Sequence, residues 1–284
     1  MENPITVLLL RAYGDFIIAV HLASKNTLSA AITLVASKHL EPLYLAISPS
    51  LPPNVSIRFF DFGIRHNLMG CFTDRYLFHP QSFREIYRLR NFIRHHPVAE
   101  PYYLEQQKRS LLLGLITGHS FRHIISAQHV YRGYADFFSA SLDALENISL
   151  DLNQQGLKVL VLPDARQAKR KISDDIIDKV KTAFQKNESI INVALFGKTG
   201  NKLNGDTIVY KDFSALIQLI RESDLVIGGD SMPIHIAQLM GKPHYILYPA
   251  YVKDQFFTPF SLKHKSYFTF EAIRARKSFF PDEA

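Results

Sequence analysis

The sequence has little of what marks an exported or membrane-spanning protein. It contains one cysteine, Cys71, which excludes an intramolecular disulfide, and its first residues lack the ordered regions of a secretory signal. The longest apolar candidate, 111–116, falls short of the roughly 18 to 20 residues that a membrane span needs. We therefore expect a cytoplasmic protein, either soluble or peripheral on the inner face of the cytoplasmic membrane.

The motifs of several common protein classes are also absent. There is no Gly-x-x-x-x-Gly-Lys-Ser/Thr loop, no Gly-x-Ser-x-Gly elbow and no Gly-x-Gly-x-x-Gly after the first strand, which argues against an ATPase, a hydrolase and a nicotinamide enzyme. No zinc-ligand spacing, RNP-type motif or heptad array occurs either. The net charge of +7 favours an anionic partner, and these absences favour a phosphorylated metabolite or an anionic membrane face over nucleic acid.

The sequence does contain an alternation of apolar strands with helices. Residues 5–10 predict a buried strand, followed by a tight turn and a helix from 16 to about 23. Further strands are predicted at 43–47, 55–60, 158–162, 190–196, 208–210, 225–227 and 244–247, and helices at 134–145, 174–185, 213–222 and 233–240. This alternation is typical of parallel sheets covered on both faces, so the predicted fold class is α/β with doubly wound sheets.

The chain is long enough for two domains of this kind. Its 284 residues allow two cores, and the polar stretch 147–156 is typical of a linker. We place the boundary near residue 153, which gives Rossmann-like domains at 1–153 and 154–284. The aromatic and basic tail from Tyr251 onwards is expected to pack back on the first domain.

The loop with the most chemical features is Gly228 to His235. In a doubly wound sheet, ligands bind beyond the carboxyl ends of the strands, and this loop follows a predicted strand. Two glycines allow a sharp turn, Ser231 can cap the next helix, and the helix start can bind a phosphate through free N–H groups, with His235 as a further donor. In the alternative interpretation, Ser231 only caps the helix and His235 is a core histidine.

Two other loops at the same edge of the predicted sheets carry charged side chains. A cation from Lys169 to Lys171, with Lys169 the first candidate, can neutralise a departing nucleoside diphosphate without a metal. Asp15, after the first strand, can act as general base on an acceptor hydroxyl. The alternatives are a solvated charge run for the basic residues and helix capping for Asp15.

The region from residue 84 to residue 96 is basic, with apolar residues interleaved. On a helix, this spacing places Arg84 and Arg88 on a basic face opposite an apolar face. Such a face suits a phosphorylated acceptor or an anionic membrane surface. It is also compatible with an ordinary solvated surface helix.

Two segments resemble the family 9 glycosyltransferases, the heptosyltransferase group of lipopolysaccharide assembly. Residues 8–17, LLLRAYGDFI, resemble the family's opening, which is a strand, an Arg and a Gly-Asp turn. Residues 223–237, SDLVIGGDSMPIHIA, resemble its signature, which is an apolar strand running into Asp-Ser/Thr-Gly-Pro-x-His-x-Ala. The second segment is the more specific, because it joins a rare order of residue types to a predicted strand, turn and helix.

The resemblance implies the GT-B fold, with two Rossmann-like domains facing a central cleft. It further implies an inverting, metal-independent transfer of a sugar, with heptose a candidate, from a nucleotide-sugar donor, for which an ADP-sugar is favoured. The implied acceptor is an anionic glycolipid, lipopolysaccharide or polysaccharide, and no cofactor and no nucleic acid is expected. Asp15 matches the catalytic base. The donor-binding residues are Lys169, Lys171, Gly197, Asp230, Ser231, Met232, Pro233 and His235, and the acceptor-binding residues are Arg11, Arg84 and Arg88.

The chain departs from the family at two positions. Met232 stands where the signature usually has Gly, and Asp164 stands where the family usually has Gly in a Pro-Gly-Ala/Ser turn. These departures leave two alternatives open, namely a non-catalytic nucleotide-binding or anion-binding protein on the same fold and a GT-B epimerase. A transferase is expected to place Asp15 and the Asp230 loop on facing sides of an interdomain cleft.

Overall fold

A computed structural model describes most of the chain, in two compact units, Met1–Ser141 and Leu142–Ala284. The predicted residues Arg11 and Cys71 lie outside the described residues. None of the helices in the described part of the chain has the length and apolar character needed to cross a membrane. The described residues are 4–9, 13–61, 80–95, 102–104, 114, 118, 121–124, 129–149, 155–165, 168–185, 188–197 and 207–276.

The first unit contains a parallel sheet with the strand order β3-β2-β1-β4-β5. The central strand β1 is apolar and buried, and the helix that follows it is buried on nearly all sides, which marks it as a core helix. The elements are β1 (Ile5–Leu9), α1 (Tyr13–Ala23), β2 (Ile32–Ser37), α2 (Glu41–Ile47), β3 (Val55–Phe60), α3 (Pro80–His95), β4 (Tyr102–Leu104), β5 (Phe121–His123) and α4 (Val130–Phe138).

The strand predicted at 43–47 is wrong. These residues form α2, with a proline in its first turn, where the missing amide hydrogen is not needed. The neighbouring strand of the sheet is β2 at Ile32–Ser37, which pairs in register with β1. The short apolar run 43–47 fits either structure by periodicity alone, and the exposure of Leu45 agrees with a surface helix.

The second unit contains a six-stranded parallel sheet with the order β11-β10-β9-β6-β7-β8. Counted from β6, this is the Rossmann order 3-2-1-4-5-6, and the direction of winding reverses between β6 and β9. The elements are α5 (Asp143–Glu146), β6 (Lys158–Leu162), α6 (Asp174–Gln185), β7 (Ile190–Phe196), β8 (Thr207–Tyr210), α7 (Phe213–Glu222), β9 (Leu225–Gly229), α8 (Met232–Leu239), β10 (His244–Tyr248), α9 (Pro259–His264), β11 (Tyr267–Thr269) and α10 (Phe270–Ala275).

The helix predicted at 134–145 is two helices that belong to different units. The first, α4, ends at Phe138 because Ser139 adopts a left-handed conformation with φ of 50°. The second, α5, is held in the second unit by the buried Gln238, whose Nε2 donates to Leu145 O at 2.9 Å. The division between units therefore falls after Ser141, upstream of the boundary placed near residue 153.

The described part of the C-terminal segment packs against α6 in the second unit. The ammonium of Lys179 donates to the carbonyls of Ile273, Arg274 and Arg276 at 2.6 to 3.0 Å, and so caps the C-terminal end of α10. Arg274 Nε also donates to Asp175 Oδ2 at 2.8 Å. The expected packing of this tail on the first domain stays a prediction.

Candidate functional site

The best candidate site lies where the strand order of the second sheet reverses. At this point β6 and β9 run side by side, and Leu162 pairs with Gly228 at their carboxyl ends. The chain leaves the two strands in opposite directions, which opens a crevice in which open α/β sheets bind ligands. The loops that border it are those after β6 and β9, with β7 and β10 on either side.

The two glycines at the end of β9 lie in closely packed surroundings. A Cβ atom at Gly228 would lie 3.1 Å from the side chain of Ile234, and one at Gly229 would lie 3.4 Å from the carbonyl oxygen of Arg170 and 3.7 Å from that of Leu247. A side chain at Gly228 would therefore require Ile234 to shift by a few tenths of an ångström, whereas the distances at Gly229 are ordinary van der Waals contacts. Both glycines lie inside β9, paired with β10, and neither has a positive φ, so the sharp turn predicted at these two residues is wrong and the chain turns only after Gly229.

The start of α8 offers an anion fewer donors than the sequence predicts. Ser231 occupies the N-cap position, but its side chain does not cap the helix, and its hydroxyl donates instead to Gly229 O at 3.2 Å. Pro233 has no amide hydrogen, and the amide of Ile234 donates to Ser231 O at 3.1 Å. Met232 is the first helical residue and is half-buried. The predicted side-chain cap is therefore wrong, and the amide of Met232 becomes the chief backbone donor at this end.

His235 lies inside the unit. It is the fourth residue of α8, and its exposed fraction is 3%. This burial favours the interpretation of a core histidine over that of a direct donor to an anion. Its assignment as a ligand contact stays a prediction.

The basic residues after β6 point to different partners. Arg170 Nη1 lies 3.4 Å from Asp230 Oδ2, and this is the contact that reaches the crevice. Lys169 places its ammonium 4.7 Å from the ring centroid of Tyr251, which is half-exposed after β10. Lys171 Nζ lies 3.4 Å from Asp164 Oδ1. The sequence analysis selected Lys169 and Lys171 but missed Arg170.

A local constraint explains why Arg170 turns towards the sheet. Residues Ala168–Arg170 form one turn of 3-10 helix, and Ile172 is fully buried with its amide bonded to Pro163 O at 3.0 Å. The buried isoleucine fixes the direction of the residues before it. A basic triplet followed by an isoleucine is a weak signal for this turn, and the sequence gives no reason to prefer its middle member.

Asp164 is the acidic residue in the described part of the β6 loop. Its Oδ2 accepts from the amide of Phe196, the last residue of β7, at 3.0 Å. Burial, followed by the negative charge of Asp164, raises the pKa of Tyr210 at the end of β8 to about 12. Gly197 follows Phe196 with φ of 63°, and its amide donates to Tyr210 O at 2.9 Å. Asp164 thus connects the loops after β6 and β7.

Asp15 lies in the first unit, at the carboxyl end of its central strand. It is the third residue of α1 and is 8% exposed, so it sits inside the helix rather than at the N-cap position. A carboxylate in the first turn is stabilised by the helix dipole. Asp15 and Asp230 belong to different units, and their predicted opposition across a cleft stays a prediction.

Arg84 and Arg88 line a cavity of about 650 Å³ on the first unit. Its apolar part is formed by two rings, Phe60 and Phe92, whose centroids are 4.1 Å apart. Helix α3 presents the predicted two faces, since its apolar residues Leu89, Phe92 and Ile93 are buried and Arg84 is exposed. The remaining residues that line the cavity are Asp61, Tyr87, Asn91 and His95.

No protein-family model matches the sequence, and no curated protein matches it either. Solved structures do match. A family 9 glycosyl transferase from Veillonella parvula aligns over 94% of this chain and 85% of its own, with a TM-score of 0.58 and 13% identity. The E. coli heptosyltransferase WaaC with ADP aligns over 94% and 92%, with a TM-score of 0.57 and 11% identity. E. coli ADP-heptose LPS heptosyltransferase II aligns over 94% and 89%, with a TM-score of 0.50 and 14% identity.

Two parallel sheets of Rossmann order, matched along nearly the whole chain, define the GT-B fold. Within that class, the fold is the one found in family 9 glycosyltransferases and in the heptosyltransferases. The predicted fold class is therefore confirmed, and the resemblance carried by residues 8–17 and 223–237 is confirmed at the level of the fold.

Proposed function

We propose that this protein is a glycosyltransferase that takes a sugar from a nucleotide-diphosphate donor. The observation that carries the proposal is the pairing of Arg170 with Asp230 at the reversal point of the second sheet, in a fold shared with family 9 glycosyltransferases. A cation and a carboxylate at this point match the two needs of such a donor. The cation faces the diphosphate, and the carboxylate accepts hydrogen bonds from sugar hydroxyls.

The donor site is proposed to consist of the loops after β6 and β9. Lys169 and Arg170 supply positive charge, and Met232 supplies a backbone amide at the start of α8, with Ser231 beside it. An ADP-sugar is the favoured donor because one of the structures with this fold is described with ADP. Heptose is the first candidate for the sugar because two of those structures are heptosyltransferases.

The proposed reaction is an inverting displacement that needs no metal. Asp15 takes the proton from an acceptor hydroxyl, and that oxygen bonds to the anomeric carbon from the face opposite the leaving group. The bond between the anomeric carbon and the diphosphate oxygen breaks, and the nucleoside diphosphate leaves with the electron pair. Arg170 and Lys169 balance the negative charge that develops on it.

The acceptor is proposed to be an anionic glycan or glycolipid that binds the cavity beside α3. Arg84 and Arg88 can each make paired hydrogen bonds with a phosphate or carboxylate, while the exposed ring of Tyr87 offers an apolar face to a sugar. A glycolipid acceptor would bring the protein to the inner face of the membrane as a peripheral enzyme.

The test is a transfer and hydrolysis assay against a panel of nucleotide sugars. We expect turnover of an ADP-sugar by the wild type, and a loss of at least about a hundred-fold in kcat for Asp15→Asn, which is the usual contribution of a general base. Asp136→Asn, an exposed aspartate on α4 of the same unit, is the matched control and should keep full activity. Full activity of Asp15→Asn would overturn the assignment of the base.

A non-catalytic nucleotide-binding protein on the same fold is the second candidate. The observations that favour it are Met232 and Asp164, which stand where the resembling family usually has Gly and which can alter how a bound donor is positioned for reaction. Nucleotide binding by the wild type without turnover of any donor in the panel would support this candidate over the transferase.

A further inference from the structure

Asp164 sits among donor groups that would suit a phosphate. Its two carboxylate oxygens contact a main-chain amide and an ammonium, with Oδ2 3.0 Å from Phe196 N and Oδ1 3.4 Å from Lys171 Nζ. An amide at the end of a strand together with a lysine is a common donor set for phosphate oxygens. The Asp164 side chain is 25% exposed, so the donor set is accessible from solvent.

The position of this contact matters as much as its chemistry. Asp164 follows β6 by two residues, on the same loop as Arg170, and the strand that supplies the Phe196 amide is the next one in the sheet. The negative charge of Asp164 therefore lies at the edge of the sheet where the proposed donor binds. Asp164 stands where the family that this chain resembles usually has Gly.

We propose that the Asp164 carboxylate occupies an anion site formed by the Phe196 amide and Lys171, and thereby weakens the binding of the nucleoside diphosphate to the second unit. This inference rests on the proposed donor site. In the free protein Lys171 forms an ion pair with Asp164. A phosphate of the ligand must therefore compete with the Asp164 carboxylate for Lys171 and for the Phe196 amide. Asp164 thus sets the affinity and limits the negative charge of the ligand that the site accepts.

The substitution Asp164→Asn separates charge from shape. The asparagine keeps an oxygen that can accept from the Phe196 amide, and it removes the negative charge. A unit charge a few ångströms from an anionic ligand, at a partly exposed site, corresponds to about a ten-fold change in the dissociation constant. We therefore expect Asp164→Asn to bind about ten times more tightly than the wild type.

The experiment is isothermal titration of the full-length protein with ADP and, separately, with inorganic pyrophosphate, which carries no base. The matched control is Asp224→Asn. Asp224 Oδ2 accepts from the amide of Lys158 at 2.9 Å, so it makes the same kind of bond at the opposite edge of the same sheet. The control should leave both affinities unchanged, and the gain in Asp164→Asn should shrink as salt is raised, because salt screens the repulsion.

A second variant shows whether Lys171 is the group that is released. Lys171→Met is expected to weaken pyrophosphate binding in the wild type, because it leaves the Asp164 charge unneutralised, and to remove most of the gain in the Asp164→Asn background. Unchanged or weaker binding by Asp164→Asn, with ADP still bound by the wild type, overturns this inference alone. Failure of all variants to bind either ligand overturns the donor site and this inference together.

Discussion

Arg170 and Asp230 form an ion pair at the carboxyl edge of the second sheet, with Nη1 and Oδ2 3.4 Å apart. The Asp230 side chain is only 7% exposed, whereas that of Arg170 is 33% exposed. The carboxylate is therefore largely removed from water, and the guanidinium beside it offsets part of its lost hydration. The pair ties the loop after β6 to the loop after β9.

Removal of Arg170 should destabilise the protein even without a ligand. Arg170→Met is expected to lower the free energy of unfolding by about 1 to 2 kcal/mol, a value reduced for the exposure of the arginine. Urea unfolding followed by circular dichroism measures it. The double variant with Asp230→Asn should regain most of the loss, and Arg221→Met on the exposed face of α7 should change stability little. Wild-type stability of Arg170→Met would contradict the prediction.

Stability should fall in mild acid because of His244. This residue is fully buried, and burial lowers its pKa to about 4, from about 6.5 in the unfolded chain. Between these values the unfolded state binds the proton and the folded state does not. The stabilisation is therefore complete above pH 6.5 and is lost as the pH falls towards 4, by about 3 kcal/mol in total.

The check is the free energy of unfolding as a function of pH, for the wild type and for His244→Gln, which does not titrate in this range. The glutamine variant should show a shallower slope between pH 6.5 and pH 4. Burial also lowers the pKa of His21 in the first unit to about 3, so part of the slope should remain. Equal slopes in the two proteins would exclude His244 as a source.

Gln238 should be required for the attachment of α5. Its amide is fully buried and makes two bonds, from Nε2 to Leu145 O at 2.9 Å and from Phe260 N to Oε1 at 3.0 Å. Gln238→Met keeps the shape but leaves a carbonyl and an amide without partners, which costs about 2 kcal/mol or more. Gln218→Met on exposed α7 is the control. A loss below about 0.5 kcal/mol in urea unfolding would contradict this role.

Arg84 and Arg88 should act on the acceptor and not on the donor. The double variant Arg84→Gln/Arg88→Gln is expected to raise the KM for an anionic acceptor about ten-fold, because charge-assisted hydrogen bonds to phosphate are lost. The affinity for ADP should not change. Arg94 lies on the same helix but does not line the cavity, so the variant Arg94→Gln is the control for a change in net charge. An equal effect of Arg94→Gln would point to general electrostatic attraction instead.

The sequence predicted those features that depend on local pattern. The strand at 158–162 and the helix at 174–185 have the predicted bounds, because an apolar run and a 3.6-residue period are visible in the chain itself. The loop from Gly228 to His235 was also placed correctly, at the carboxyl end of a strand beside the reversal point.

The features that depend on tertiary contacts were not predictable. Three consecutive cations have the same local character, and only the folded structure shows that Arg170 lies against Asp230 while Lys169 lies against Tyr251. Likewise, nothing near residue 145 shows that a glutamine 93 residues later will hold it. Residues 43–47 formed a helix because the strand position beside β1 is filled by β2.

The packing around Gly229 also has a kinetic consequence. A Cβ atom at Gly229 would lie in van der Waals contact with the carbonyl oxygens of both Arg170 and Leu247, at 3.4 and 3.7 Å, so three main-chain segments lie close together at this residue. A shift of any one of these three segments must be accompanied by the other two, because close-packed backbone does not deform independently. Rearrangement of this edge should therefore occur with a single relaxation rate, as one concerted event.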